Sequence, residues 1–144
     1  MKTPGAVRPG FTLVEIMIIV AIIATLAAVS IPAFLRARIQ ANETAAIASL
    51  RQLSTACVSF RSIQNPLSYP NNLNDLSSAN PPYIDSILGT GAKQGYNFNY
   101  SLVGADQYTC TATPITANVT GIRTFFLDES GVIKEDDASG APVE

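Results

Sequence analysis

The hydrophobic rhythm of the chain changes four times. Residues 1–10 (MKTPGAVRPG) are short and polar. Residues 11–35 (FTLVEIMIIVAIIATLAAVSIPAFL) are 25 almost unbroken apolar positions, interrupted by one charge, Glu15. As helix that run extends about 37 Å, enough to cross a hydrocarbon core of roughly 30 Å. Beyond it the apolar residues thin to a stripe, with Leu50, Leu53, Cys57 and Phe60 at intervals of 3, 4 and 3, one face of a helix. Ala41, Ala45, Ala46, Ala48 and Ala56 are strong helix formers. The pattern predicts one helix from Phe11 to about Gln64, roughly 80 Å long. Its first half is a membrane anchor and its second half packs into a head. Pro32 lacks the N–H that a helix interior uses, so it predicts a helix kink. A membrane helix tolerates this because neighbouring helices re-satisfy the freed carbonyl.

Residues 65–82 (NPLSYPNNLNDLSSANPP) are rich in Asn, Pro and Ser and read as an irregular loop with one helical turn near Leu73–Leu76. A short helix from Tyr83 to Leu88 would stop at Gly89. Then the period falls to two. In 95–103 (GYNFNYSLV), Tyr96, Phe98, Tyr100 and Leu102 face one way and Asn97, Asn99 and Ser101 the other. In 107–113, Tyr108, Cys110 and Ala112 alternate with threonines, which favour strands. Residues 122–127 (IRTFFL) give a third strand and 132–134 a fourth, after a turn at 128–131. The tail EDDASGAPVE reads as disordered. The fold class is α+β, a long N-terminal helix packed on a small antiparallel sheet of about four strands. The divisions are 1–10, 11–35, 36–64 (the second half of the helix) and 65–144 (the head).

Composition sharpens this picture. Apolar residues are 47% of the chain and charged residues 14%, but the excess sits in 11–35, so the average describes neither part. There is no His, which removes the commonest general base near neutral pH and the commonest metal ligand. The two cysteines are too few for a four-ligand zinc site. Asp128, Glu129, Glu135, Asp136 and Asp137 lack the twelve-residue spacing of a calcium loop and read as a solvated acidic tail. No glycine-rich phosphate loop and no nucleophile–base set is present, so the sequence points to no enzyme, cofactor or metal. Charge is divided along the chain. From Arg36 to Arg61 four arginines face only Glu43, whereas from Asn65 onward nine acids face Lys93, Arg123 and Lys134. An acidic head argues against nucleic-acid binding, which needs a basic face. A basic stem and an acidic head permit attraction between copies, which salt would weaken.

Lys2 and Arg8 before the apolar run favour a cytoplasmic N-terminus, leaving the bulk of the chain outside. An ordinary secretory signal has a shorter apolar run and a late small-residue cut, for which Ala27-Ala28-Val29-Ser30 is the candidate. Neither that reading nor a plain single-pass anchor accounts for Glu15. A carboxylate within an apolar membrane helix costs about 2.5–3.5 kcal/mol, so such groups have partners. A cut after Gly10 would create an amine on Phe11, four residues and about 6 Å of rise from Glu15. That amine, on the same chain or on a neighbour, would answer the carboxylate. A neighbour's amine would also fix the stagger between copies. The plainer alternative is a charge near the membrane edge.

Gly10-Phe11-Thr12-Leu13-Val14-Glu15, followed by some twenty apolar residues, resembles the cleavage and methylation signature of type IV prepilins and pseudopilins. Pro32 and the aliphatic run around it also look pilin-like. The close resemblance covers Gly10 to about Arg61. Further on it is one of pattern only. The resemblance implies a membrane peptidase that cuts after Gly10 and methylates Phe11, and a role for Glu15 in assembly. It implies a structural subunit: a homo-oligomer in a helical filament, served by the prepilin peptidase and a pilus assembly machinery. The chain would sit in the inner membrane first and on the cell surface afterwards. Extension and retraction would need an ATP-driven machine supplied by other proteins. The tail lacks the Asp-rich calcium-site ending associated with major pseudopilins of type II secretion, which weakens a secretion role. A pseudopilin and a minor tip subunit, binding a ligand through 65–82, stand as alternatives.

Cys57 falls on the apolar helix face and Cys110 on the apolar strand face. An exported chain meets an oxidising space. A disulfide closing about 50 residues would contribute roughly 3–4 kcal/mol. Two buried free thiols, behaving as small hydrophobes, are the other reading.

Overall fold

A computed structural model describes residues 10–143. The leader assigned to 1–10 therefore lies outside the described residues, apart from Gly10. The chain divides into two compact units, Met1–Arg36 and Ala37–Glu144.

The long helix α1 covers Leu13–Ile63 and is assigned as helix through Pro32 without a break. In the first unit its apolar side chains are exposed, except for the half-buried Ala27. In the second unit one stripe is buried: Glu43, Ala46, Ser49, Leu50, Leu53, Ala56 and Cys57. Leu50, Leu53 and Cys57 are fully buried. Each of the two leucines contributes about 1.5–3 kcal/mol of apolar burial. Ser49 sits among them at low cost because its hydroxyl donates to the Ala45 carbonyl one turn back, at 2.9 Å.

The loop beyond α1 holds two short helices, each started by a side-chain cap. Asn72 Oδ1 accepts from the Asp75 N–H (3.0 Å) and opens α2 (Leu73–Ser77). Asp85 does the same for α3 (Ser86–Gly89), accepting from the Leu88 N–H at 3.2 Å. These caps direct Leu73, Leu76 and Leu88 into the core.

The sheet has five strands, not four, in the order β1-β2-β3-β4-β5 and antiparallel throughout: Ala92–Lys93, Tyr96–Gly104, Gln107–Pro114, Phe125–Asp128 and Ile133–Glu135. Strand β1 is only two residues long, too short to show a period. Tyr96, Phe98, Tyr108, Cys110, Ala112, Phe125, Leu127 and Ile133 are buried, the alternation expected of a sheet with one covered face. Aromatic rings finish the core. Tyr69 meets Tyr108 edge-on at 4.7 Å between centroids, and Tyr100 stacks on Tyr108 at 5.6 Å.

Two further sequence expectations are corrected. The third strand does not begin at Ile122, because a side chain of α1 takes the N–H groups of Ile122 and Arg123 that a ladder would use. The tail is not loose. The N–H of Val143 donates to the Ile133 carbonyl (2.8 Å) and that of Glu135 to the Ala141 carbonyl (2.9 Å), so 141–143 fold back along β5. The acidic composition hid this return, which is made by backbone groups and by Val143 packing on the core.

Candidate functional site

The predicted processing site stands just outside the helix. Gly10, Phe11 and Thr12 are non-helical, and Phe11 is 78% exposed. A Cβ built on Gly10 would meet no atom within 4 Å. The peptide bond after Gly10 is thus unencumbered by the described chain.

Glu15 is not idle. Its Oε2 accepts from the Thr12 N–H (3.2 Å) and from the Thr12 hydroxyl (3.1 Å), while the Thr12 Oγ1 accepts from the Glu15 N–H (3.2 Å). This is a capping box, in which residues three apart satisfy each other's orphan helix-end donors. The signal Thr12-x-x-Glu15 was in the sequence, hidden by the more conspicuous burial problem. The box turns the carboxylate back towards the end of the chain, beside the position where a cut would leave an amine. Further along, Thr25 satisfies its hydroxyl on the Ala21 carbonyl at 2.8 Å. Ile18, Ala21, Ile22, Thr25 and Leu26 line one shallow apolar groove on this helix. Arg36 and Arg38, which follow the apolar run, are exposed and form no ion pair among the described residues.

A second polar constellation lies in the head, and sequence reasoning missed it. Glu43, 6% exposed, accepts from the N–H of Ile122 (2.9 Å), the N–H of Arg123 (3.2 Å) and the Arg123 Nε (2.8 Å). Asn42 Nδ2 donates to the Thr120 carbonyl at 2.8 Å. Together they clamp the β3–β4 loop to α1. Burial pushes the Glu43 carboxyl up, but the Ile122 N–H and the Arg123 side chain and N–H outweigh it. The net position is below the ordinary carboxylate value of 4.5. Gly121 makes the close fit possible, since a Cβ there would lie 2.1 Å from the Tyr96 hydroxyl, which donates to the Arg123 carbonyl at 2.9 Å. A hint was present, because Glu43 extends the 46/50/53/57 stripe by one turn.

Cys57 and Cys110 are both buried and free in this structure. Burial pushes each thiol up to about 12, and for Cys110 the neighbouring Cys57 adds to the effect.

Comparison with known proteins bears on the N-terminal part. A prokaryotic N-terminal methylation motif matches residues 8–31. The type IV major pilin protein PilA of Myxococcus xanthus (strain DK1622) is 47% identical over 51 residues, which cover 35% of this chain and 23% of that protein. No solved structure matches significantly.

Proposed function

We infer, from a chain that carries the prepilin-type N-terminal methylation motif and a type IV pilin-like start, that it is a structural subunit of a pilus-like filament. The observation that carries this is the junction at Gly10–Phe11. An open peptide bond stands before a capped apolar helix whose only charge turns back towards it. The apolar helix fits a transmembrane anchor. After a cut following Gly10 and methylation of Phe11, such helices leave lipid and bundle. They hide the face of Ile18, Ala21, Ile22, Thr25 and Leu26 against one another. Helix packing of this kind favours small residues such as Ala21 and Thr25 set among large ones. The kink expected at Pro32 would let the two halves of α1 follow different directions in the bundle.

In this reading Glu15 exchanges partners. In the precursor it caps Thr12. In the filament it meets the Phe11 amine of a neighbour, and a subunit out of register leaves a carboxylate unpaired in an apolar core. Glu15→Ala is expected to leave the cut intact and to lower fibre yield severalfold. Thr12→Ala removes the hydroxyl bonds of the cap while keeping the carboxylate and the backbone N–H that donates to it, and is expected to preserve fibres. Equal losses in both variants, counted on sheared surface fibres, would assign Glu15 to capping alone.

We also propose that Cys57 and Cys110 become a disulfide on export, by exchange with a disulfide-carrying oxidant that takes up the two electrons and two protons. Thiols held near 12 carry almost no thiolate at neutral pH, so oxidation would precede closure of the core. The intact mass of chain recovered from surface fibres reports the cut, the methyl group and the bond together. A recovered chain that retains residues 1–10 would overturn the proposed processing. The tail shows no feature that favours a secretion pseudopilus over a pilus.

A further inference from the structure

The β3–β4 loop is a built surface. The Thr120 N–H donates to the Thr116 carbonyl (2.9 Å), the Asn118 N–H to the Gly121 carbonyl (2.9 Å), and the Thr116 N–H to the Thr120 Oγ1 (3.1 Å). At one end the Ile115 N–H donates to the Gly95 carbonyl (2.9 Å), and at the other the Asn42–Glu43 clamp holds Thr120, Ile122 and Arg123. From this fixed turn Ile115, Val119 and Ile122 stand 53%, 57% and 64% exposed. Single exposed aliphatics are ordinary on protein surfaces. Three within eight residues, on a turn whose backbone donors are largely bonded internally, are a different case. Such a turn enters an apolar phase without stranding many backbone groups.

Its place in the chain selects the phase. The clamp uses Asn42 and Glu43, seven and eight residues after Leu35, where the apolar run ends. Seven residues span at most about 25 Å however folded, and about 10 Å as helix. The charges agree. Between Gln107 and Leu127 there is no acid, and between Arg36 and Arg51 the one acid is Glu43, which is buried. Arg36, Arg38 and Arg51 form no ion pair among the described residues. Two acids adjoin the C-terminal end of the loop. Glu135 lies 3.7 Å from Arg123, and the Asp136 N–H donates to the Thr124 carbonyl. Exposed aliphatics on a segment that carries no acid, with Arg51 and Arg123 sharing one groove beside it, suit the glycerol and phosphate layer of a bilayer.

We propose that the loop Ile115–Ile122 rests in the headgroup layer of the membrane that holds the apolar run, docking the head on lipid while the chain awaits assembly. This rests on the reading of that run as a membrane anchor. The occupant is lipid rather than a second copy, because the surface lies within a short tether of the bilayer in every single subunit.

The chain has no tryptophan, so one can be introduced as the sole reporter. Val119→Trp, Val103→Trp and Leu26→Trp are prepared in the full chain, each at one copy per nanodisc of phosphatidylethanolamine and phosphatidylglycerol. Val103 is 62% exposed, in the strand that leads to the β2–β3 turn. Asp106 of that turn is ion-paired to Arg61, about 27 Å of helix rise from Glu43. The expected result has two parts. Val119→Trp emission is blue-shifted, quenched by lipids brominated near the glycerol, and severalfold less quenched by aqueous acrylamide than Val103→Trp. Leu26→Trp is quenched by lipids brominated deep in the acyl chain. If Leu26→Trp is deeply quenched while Val119→Trp is as open to acrylamide as Val103→Trp, the docking proposal falls and the anchor stands. Val119 protection that appears only with several copies per disc assigns the loop to a neighbouring subunit and also overturns the proposal. If Leu26→Trp meets no lipid, the anchor reading fails and takes the proposal with it.

Discussion

Glu43→Ala is expected to lower the unfolding free energy of the head by about 2–4 kcal/mol. The substitution leaves the N–H groups of Ile122 and Arg123 without their acceptor and the Arg123 guanidinium without its nearest carboxylate. A stranded buried donor costs about 1–3 kcal/mol. Loss of one partner from a fully buried ion pair costs about 3–5 kcal/mol. Arg123 is 40% exposed and keeps Glu135 at 3.7 Å, so water and that second acid recover part of the loss. Glu43→Gln keeps an acceptor in place and is expected to cost about half as much. The same residue sets a pH dependence. Its folded pKa lies below 4.5. The stability it contributes is therefore present above about pH 4.5 and is lost as pH falls through the folded value. Equilibrium urea unfolding of the full chain in a mild detergent, followed by tyrosine near-ultraviolet dichroism, measures both effects. A Glu43→Gln protein as acid-sensitive as the parent would remove Glu43 from the account.

Gly10→Phe is expected to abolish maturation almost completely, with uncut precursor accumulating in the membrane. Gly10 lies outside the helix and has no neighbour among the described residues for a side chain to strike. Substitution there leaves the fold and the capping box undisturbed, so a loss of processing reports on the peptidase's requirement for a small residue. Dichroism of the purified variant should match that of the parent. Immunoblots that resolve precursor from mature chain give the readout. Normal quantities of chain beginning at Phe11 would show that the cut does not depend on Gly10.

The parts of the molecule legible in the sequence are those where one chemical pattern dominates. The apolar run, the 50/53/57/60 stripe and the alternation in 96–102 and 108–112 each repeat one period long enough to name their element, and the elements follow. What was not legible depends on partners far apart in sequence or on backbone alone. Glu43 could be placed on the buried stripe, yet nothing near it points to Arg123, 80 residues on. The start of β4 at Phe125 rather than Ile122 follows from that same long-range bond. The two-residue β1 and the return of 141–143 are made by main-chain hydrogen bonds that no side-chain pattern announces. At the candidate site the Thr12–Glu15 box was short-range and readable. The cost of a carboxylate within an apolar run is the stronger signal at Glu15 and masks it.

The returning tail changes what the head presents to its surroundings. A sheet's outermost strand is a template on which foreign chains extend, and β5 would otherwise offer a bare ladder. Here Lys134 faces Pro142, a residue with no N–H to extend the ladder, and the opposite margin is the two-residue β1. Neither border invites strand addition. In the proposed filament such heads could therefore be crowded side by side without their sheets zipping into one another, leaving lateral cohesion to helices and side chains.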